Sequence, residues 1–153
     1  MLFAIAWIGL QGALILTADR RPDAAFGFRM FSESSTMRVV LYREIVRADG
    51  QRERIPVKDG IWEAKDAGGM MRRFAWDDRV KRADLATFDV EIHASYGARA
   101  ELARLQAALD DVAAHIPEDA ETKRLLLDVT IRRNGREPST SHLASVERRT
   151  GGT

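Results

Sequence analysis

Residues 125–145 read LLLDVTIRRNGREPSTSHLAS. Leu125, Leu127, Val129 and Ile131 alternate with Leu126, Asp128, Thr130 and Arg132, the period-two pattern of a strand with one buried face. Asn134-Gly135 is a strong short hairpin signal, because both residues tolerate the positive φ that a two-residue turn demands. The returning arm does not fit a strict two-residue turn, which would pair Ile131 with Pro138 and point Leu143 away from the core. A one-residue bulge near Pro138 turns Leu143 and Ser145 inward and is the expected arrangement. A hairpin with one apolar face needs a layer to cover it, and the residues just before it supply one.

Leu102, Leu105, Leu109, Val112 and Ile116 recur at spacings of three and four, with Arg99, Glu101, Arg104, Asp110 and Asp111 elsewhere on the wheel. Pro117 stops this helix, since a residue before proline avoids helical geometry. The seam lasts only two heptads, so it reads as a face packed on a sheet and not as a coiled coil. Upstream, Met37, Val39, Leu41 and Ile45 alternate with Arg38, Val40, Tyr42 and Glu44 as a further strand. Asp49-Gly50 and Asp59-Gly60 are turn dipeptides that separate short strand candidates at Arg54–Val57 and Ile61–Ala64, and Gly68-Gly69 precedes another at Met70–Trp76. These read as an antiparallel meander in which Pro56 confines its strand to an edge. The expected fold is α+β: a meander plus a C-terminal hairpin, packed against one long helix. Domain bounds follow as an anchor over 1–21, a linker over 22–36, an α+β domain over 37–147 and a frayed tail over 148–153.

The anchor is the least ordinary part. From Leu2 to Ala18 there is no charged residue, and no polar stripe appears. As a helix this run spans about 25 Å, just short of a ~30 Å hydrocarbon core. It lacks the basic leader of a signal peptide, and Leu16 sits where cleavage before Asp19 would want a small residue, so it reads as an uncleaved single-pass transmembrane helix. Ala6, Gly9, Gly12 and Ala13 offer small faces for packing against another membrane helix. Arg20 and Arg21 follow the run and by the positive-inside rule put the domain in the cytoplasm.

The chain of 153 residues, 45% hydrophobic and 31% charged, has the composition of one folded domain. Its net charge of +1, with both signs interspersed, argues against a nucleic-acid partner. It has no cysteine, which excludes disulfides, thiolate metal sites and cysteine nucleophiles. His93, His115 and His142 fall in different elements without metal-ligand spacing; His115 suits the C-terminal dipole of the helix, and His142 a half-exposed strand. No nucleophile elbow, phosphate loop or dinucleotide fingerprint occurs, so no catalytic, cofactor or metal residue is assigned. Ser32, Ser34 and Ser35 read as turn formers. Asp77, Asp78, Asp84 and Asp89 form a loose acidic group that would support chemistry only by converging in a pocket, and Glu118, Asp119 and Glu121 read as solvated. The candidate partner-binding residues are Trp62, Arg72, Arg73 and Trp76, since arginine and tryptophan dominate binding hot spots. The competing reading puts Phe74 and Trp76 in the core and the arginines in solvent.

In order, "FGFRMFSESS", a strand ending "LYRE", an Asp-Gly turn, "RRFAW", a helix ending "HIPED", a strand and "RRNGR" resemble one segment of a known family. It is the region after the last membrane helix in the vitamin K-dependent gamma-glutamyl carboxylase family and its bacterial relatives. The similarity spans Phe26 to Arg136, with Leu2–Ala18 where the last membrane helix would stand. The resemblance implies a β-rich extracytoplasmic domain, against the two-arginine orientation, and the outside is the expected side. The family's catalytic base and quinone chemistry belong to a multi-helix membrane part that does not match this chain, so no catalysis is carried over. Its substrate-engaging role maps onto Arg72, Arg73 and Trp76. The expected function is a single-pass accessory protein binding a multi-span membrane partner without catalysis; the alternative is a tethered peptide- or ligand-binding module.

Overall fold

A computed structural model describes residues 2–17, 35–94, 97–133 and 136–148. Among these the chain forms helices α1 (Leu2–Thr17) and α2 (Ala98–Ala114). The strands are β1 (Ser35–Val46), β2 (Arg52–Val57), β3 (Ile61–Lys65), β4 (Met71–Ala75), β5 (Glu91–His93), β6 (Thr122–Arg133) and β7 (Ser139–Ala144). The class is α+β with antiparallel sheets. β1 and β6 are its spine, pairing Met37 with Ile131, Val39 with Val129 and Leu41 with Leu127. All six of these side chains are buried, because antiparallel register keeps both alternating patterns on one face. Leu105, Leu109, Val112 and Ile116 of α2 and its exit join them in one core, as the helical spacing predicts. α2 ends before Pro117, with His115 Nδ1 donating to the Asp111 carbonyl oxygen at 2.7 Å.

The large sheet runs β2-β1-β6-β7, and β5 shares the β2 side of β1. β2 is an edge, as Pro56 requires. β7 pairs Ile131 with Ser139 and Leu127 with Leu143, one residue beyond the register of a strict two-residue turn. Leu143 therefore packs on the core and Ser145 is buried, which is the outcome expected of a bulge, although Asn134 and Gly135 lie outside the described residues.

Four expectations need correction. The strand candidates do not form one meander: β3 and β4 make a separate two-stranded sheet. The cause is Asp59-Gly60, which turns the chain out of the large sheet. Gly60 has φ +71°, and a Cβ there would stand 2.8 Å from Phe88 Cε2, so no other residue fits this turn without displacement. β1 begins at Ser35, inside the expected linker; residues 18–34, with Arg20 and Arg21, lie outside the described residues. Glu101 is not on a solvent face but buried beside Arg104, 3.3 Å away. Arg148 is not frayed: its guanidinium donates to the carbonyls of Asp119 (2.9 Å), Thr122 (2.8 Å) and Ile116, and its N–H to Lys123.

No helix among the described residues is long and apolar enough to cross a membrane. α1, expected as a transmembrane helix, has 16 described residues, about 24 Å of helix. Phe3, Trp7, Ile8 and Leu10 on it are exposed, and Phe3 stacks on Trp7. Of the expected packing positions, Ala6, Gly9 and Ala13 are exposed and Gly12 partly so; nothing lies within 4 Å of where a Cβ would stand at either glycine.

Candidate functional site

The small β3–β4 sheet carries the residues singled out from the sequence, and it divides them. Register places Trp62 opposite Phe74, and the rings stack at 5.8 Å on the buried face. The Trp62 indole N–H donates to Asp119 Oδ2 at 2.9 Å, within the core. Trp76 is 1% exposed; its N–H donates to the Leu85 carbonyl at 3.0 Å and its ring meets Phe88 edge-on at 5.5 Å. Both indoles are satisfied internally, which is what burial of an amphipathic ring requires. Trp62 and Trp76 are thus core residues, and the reading that made them a partner surface does not hold for either. Asp119, expected in solvent, is fully buried: Oδ1 accepts the N–H groups of Glu121 and Thr122 while Oδ2 holds Trp62. Segment 116–122 is thereby pinned across the hairpin, and Ala120 N–H completes the attachment on the Lys65 carbonyl.

Arg72 and Arg73 do face solvent, beside a cleft of about 260 Å³ that also takes in Arg79, His115, Ile116 and Glu118. Arg72 donates to Asp66 Oδ2 at 2.8 Å. Asp66 is built for this by the turn, where Oδ1 accepts the N–H groups of Gly68 and Met70. The Met70 N–H and then Arg72 hold its carboxyl below the ordinary value. Arg79 spans Asp111 with two contacts of 3.3 Å and depresses that carboxyl in turn. His115 Nδ1 lies 3.2 Å from the same carboxylate. Arg73 differs: its side chain has no ion-pair or hydrogen-bond partner among the described residues, and Glu63 is only its cross-strand neighbour. The cleft therefore presents one unneutralised guanidinium between two held in fixed orientation by carboxylates. Such a planar fork matches carboxylate or phosphate oxygens, while the two neighbours, neutralised by their carboxylates, frame it in fixed positions and Asp78 and Glu118 line the same cleft.

Asp66, Arg79 and Asp111 escaped notice in the sequence. Asp66 had a signal, an aspartate two residues before a Gly-Gly pair, which is the spacing of an Asx turn. Arg79 and Asp111 are far apart in the chain and carried none. The acidic group does not converge: Asp84 is bound by Arg82 and Asp89 by Arg38, Asp77 offers its main-chain carbonyl to Lys81, and Asp78 alone lines the arginine cleft. His142 Nδ1 meets Asp128 at 2.6 Å on the exposed sheet face, without a cleft beside it. No three of the described histidines and carboxylates are grouped so that they could hold a metal ion. No family model matches the chain, and no curated protein matches it in sequence.

Proposed function

We propose that this chain is a membrane-attached accessory protein whose α+β domain binds an acidic partner in the Arg72–Arg73–Arg79 cleft and performs no chemistry of its own. The observation that carries the reading is Arg73, an exposed guanidinium without a counter-charge in a protein whose other cleft arginines are each matched to a carboxylate. A solvated arginine needs no partner, but one beside a cleft can exchange its water for the charge-assisted bonds of an anion. α1 supports the attachment. A helix without a charge that exposes Phe3, Trp7, Ile8 and Leu10 has a surface suited to hydrocarbon, and a shortfall of a few Å against the bilayer is met by local thinning. Gly9 and Gly12 leave room for a second helix to approach closely. A multi-span membrane protein is the partner that satisfies both surfaces, and the extracytoplasmic side follows the resemblance to the carboxylase family. The tethered peptide-binding module is the second reading, favoured by the cleft being large enough for a chain segment while its walls lack converging catalytic groups.

Capture of the full-length protein from detergent-solubilised host membranes tests this. A multi-span protein is expected in near-equal amount, lost both on Arg73→Glu and on replacing residues 1–21 with an unrelated anchor. Recovery of the same proteins with and without Arg73 would overturn the cleft's role. Alkali-resistant membrane association of the wild type, lost with α1, is the expected companion result.

A further inference from the structure

The cleft borders a strand edge that the fold leaves open. In the β3–β4 pair the Asp66 N–H donates to the Met70 carbonyl at 2.9 Å, which fixes the phase of the ladder. By alternation, Trp62, Ala64, Phe74 and Arg72 turn their main-chain groups toward the neighbouring strand, and Met71, Arg73 and Ala75 turn theirs away from β3. The same phase makes Lys65 outward-facing on β3, and its carbonyl indeed accepts Ala120 N–H. On β4 the main-chain groups of Met71 and Arg73, both exposed residues, have no hydrogen-bond partner among the described residues, while Ala75 is buried and ends the open stretch.

The edges of β2, β7 and β3 are each interrupted at one position. On β2 the outward-facing residues include Pro56, which has no N–H to offer. On β7 the outward Ala144 carbonyl accepts the Gln106 side chain of α2 at 3.1 Å. β3 carries the 116–122 segment. Proteins block unpaired strands because they recruit other strands, so an edge left open beside a cleft is a place for one.

We infer that β4 is a strand-addition site, and that an extended acidic segment of the partner pairs with Met71 and Arg73 along its exposed stretch. The inference rests on the proposed acidic-partner cleft and specifies how that cleft recognises its ligand. Main-chain bonds to Arg73 N–H and C=O supply the register. Alternate side chains of the added strand then fall on opposite faces, one set toward the Arg73 guanidinium and the other toward Phe74 and Ile116 in the cleft wall. The fitting sequence thus alternates acidic and apolar residues opposite the exposed Met71–Arg73 stretch of β4. Arg72 is turned to Asp66, and so shapes the site's potential more than it contacts the ligand.

The test uses the full-length protein in non-ionic micelles and an acetylated, amidated peptide of alternating valine and glutamate, about the length of β4. Two further peptides carry N-methyl groups on one or the other alternate set of amides. Because only every second amide of an added strand faces β4, one methylated peptide should bind like the parent, and the other should bind at least about tenfold more weakly for each lost bond or two. The Arg73 amide should gain hydrogen-exchange protection on binding, and Arg73→Glu should abolish binding without unfolding the domain. If both methylated peptides bind like the parent while Arg73→Glu still prevents binding, strand addition is overturned and the acidic-partner cleft stands. If the parent peptide does not bind, or anionic lipid vesicles bind in its place through Arg73, strand addition is likewise overturned. The capture experiment above then judges the cleft independently.

Discussion

The two sheets of this protein divide its work. In the large sheet α2 covers one face, β5 and β2 share one side of β1, and the outer edges are interrupted at Pro56 and at the Ala144 carbonyl held by Gln106. The β3–β4 sheet has two strands, a size that is marginal in water by itself. It persists because Trp62, Phe74 and Trp76 tie its inner face to the core, and its other face is left to Arg73 and Glu63 beside a partly unpaired edge. The difference separates stability from recognition. Changes to the aromatics should unfold the small sheet, while changes to Arg73 should alter binding alone, within the ±0.5 kcal/mol typical of surface substitutions.

Trp76→Ala should have the largest effect, a loss of about 3–5 kcal/mol, since a fully buried ring and its bond to the Leu85 carbonyl both go. Urea denaturation measures the sum, and amide exchange locates it. Exchange at Arg72 and Phe74 should rise toward solvent rates while Val39 and Val129 in the spine stay protected. If all four lose protection together, the sheets form one cooperative unit and the division fails.

Arg148→Ala comes next. Its guanidinium gathers the carbonyls of Ile116, Asp119 and Thr122, and burial pulls its pKa down against the attraction of Asp119. Charge-assisted bonds of this kind contribute about 1–2 kcal/mol after allowing for partial exposure. These carbonyls belong to the segment that holds β3 through Asp119 and Ala120 and then becomes β6. The substitution should therefore lower protection in both sheets, unlike Trp76→Ala. An unchanged urea midpoint would mean that the tail is not a structural tie.

The contrast also marks what the sequence could and could not disclose. β1, β6 and the buried stripe of α2 were legible because each obeys a single period over many residues, and the β7 register followed from demanding that Leu143 and Ser145 face inward. The separation of β3–β4 was not, because it depends on Gly60 meeting Phe88, a contact between distant positions. Phe74 and Trp76 left two readings open, since alternation says which residues share a face but not which face is covered. Asp119 looked solvated among Glu118 and Glu121, yet its partners are main-chain N–H groups and one indole, and main-chain partners leave no residue-type signature. The same reason hid Arg148. Arg72 and Arg73 were found, but what distinguishes them is where Asp66 falls in the turn, which is a property of the folded hairpin.

The smallest effect concerns acid. Arg52, with Arg124, holds the Glu147 carboxyl of the large sheet's rim below its ordinary 4.5, and the Met70 N–H, with Arg72, holds Asp66 of the hairpin below 3.8. A depressed carboxylate contributes stability above its unfolded pKa and loses it as pH falls through the folded one. Both sheets should thus be insensitive from neutrality to about pH 5 and weaken below about pH 4, modestly, because Glu147 is exposed and Asp66 sits in a surface turn. Glu147→Gln should remove the acid response from β2 and β6 amides, and Asp66→Asn from β3 and β4. Salt sharpens the comparison further. Near 1 M, screening to about 3 Å should flatten the Glu147 response, which arises from two arginines, and spare much of the Asp66 response, whose largest cause is a main-chain donor. If salt erased both equally, Asp66 would be acting chiefly through the charge of Arg72, and the hairpin turn would not be what orients that arginine beside the cleft.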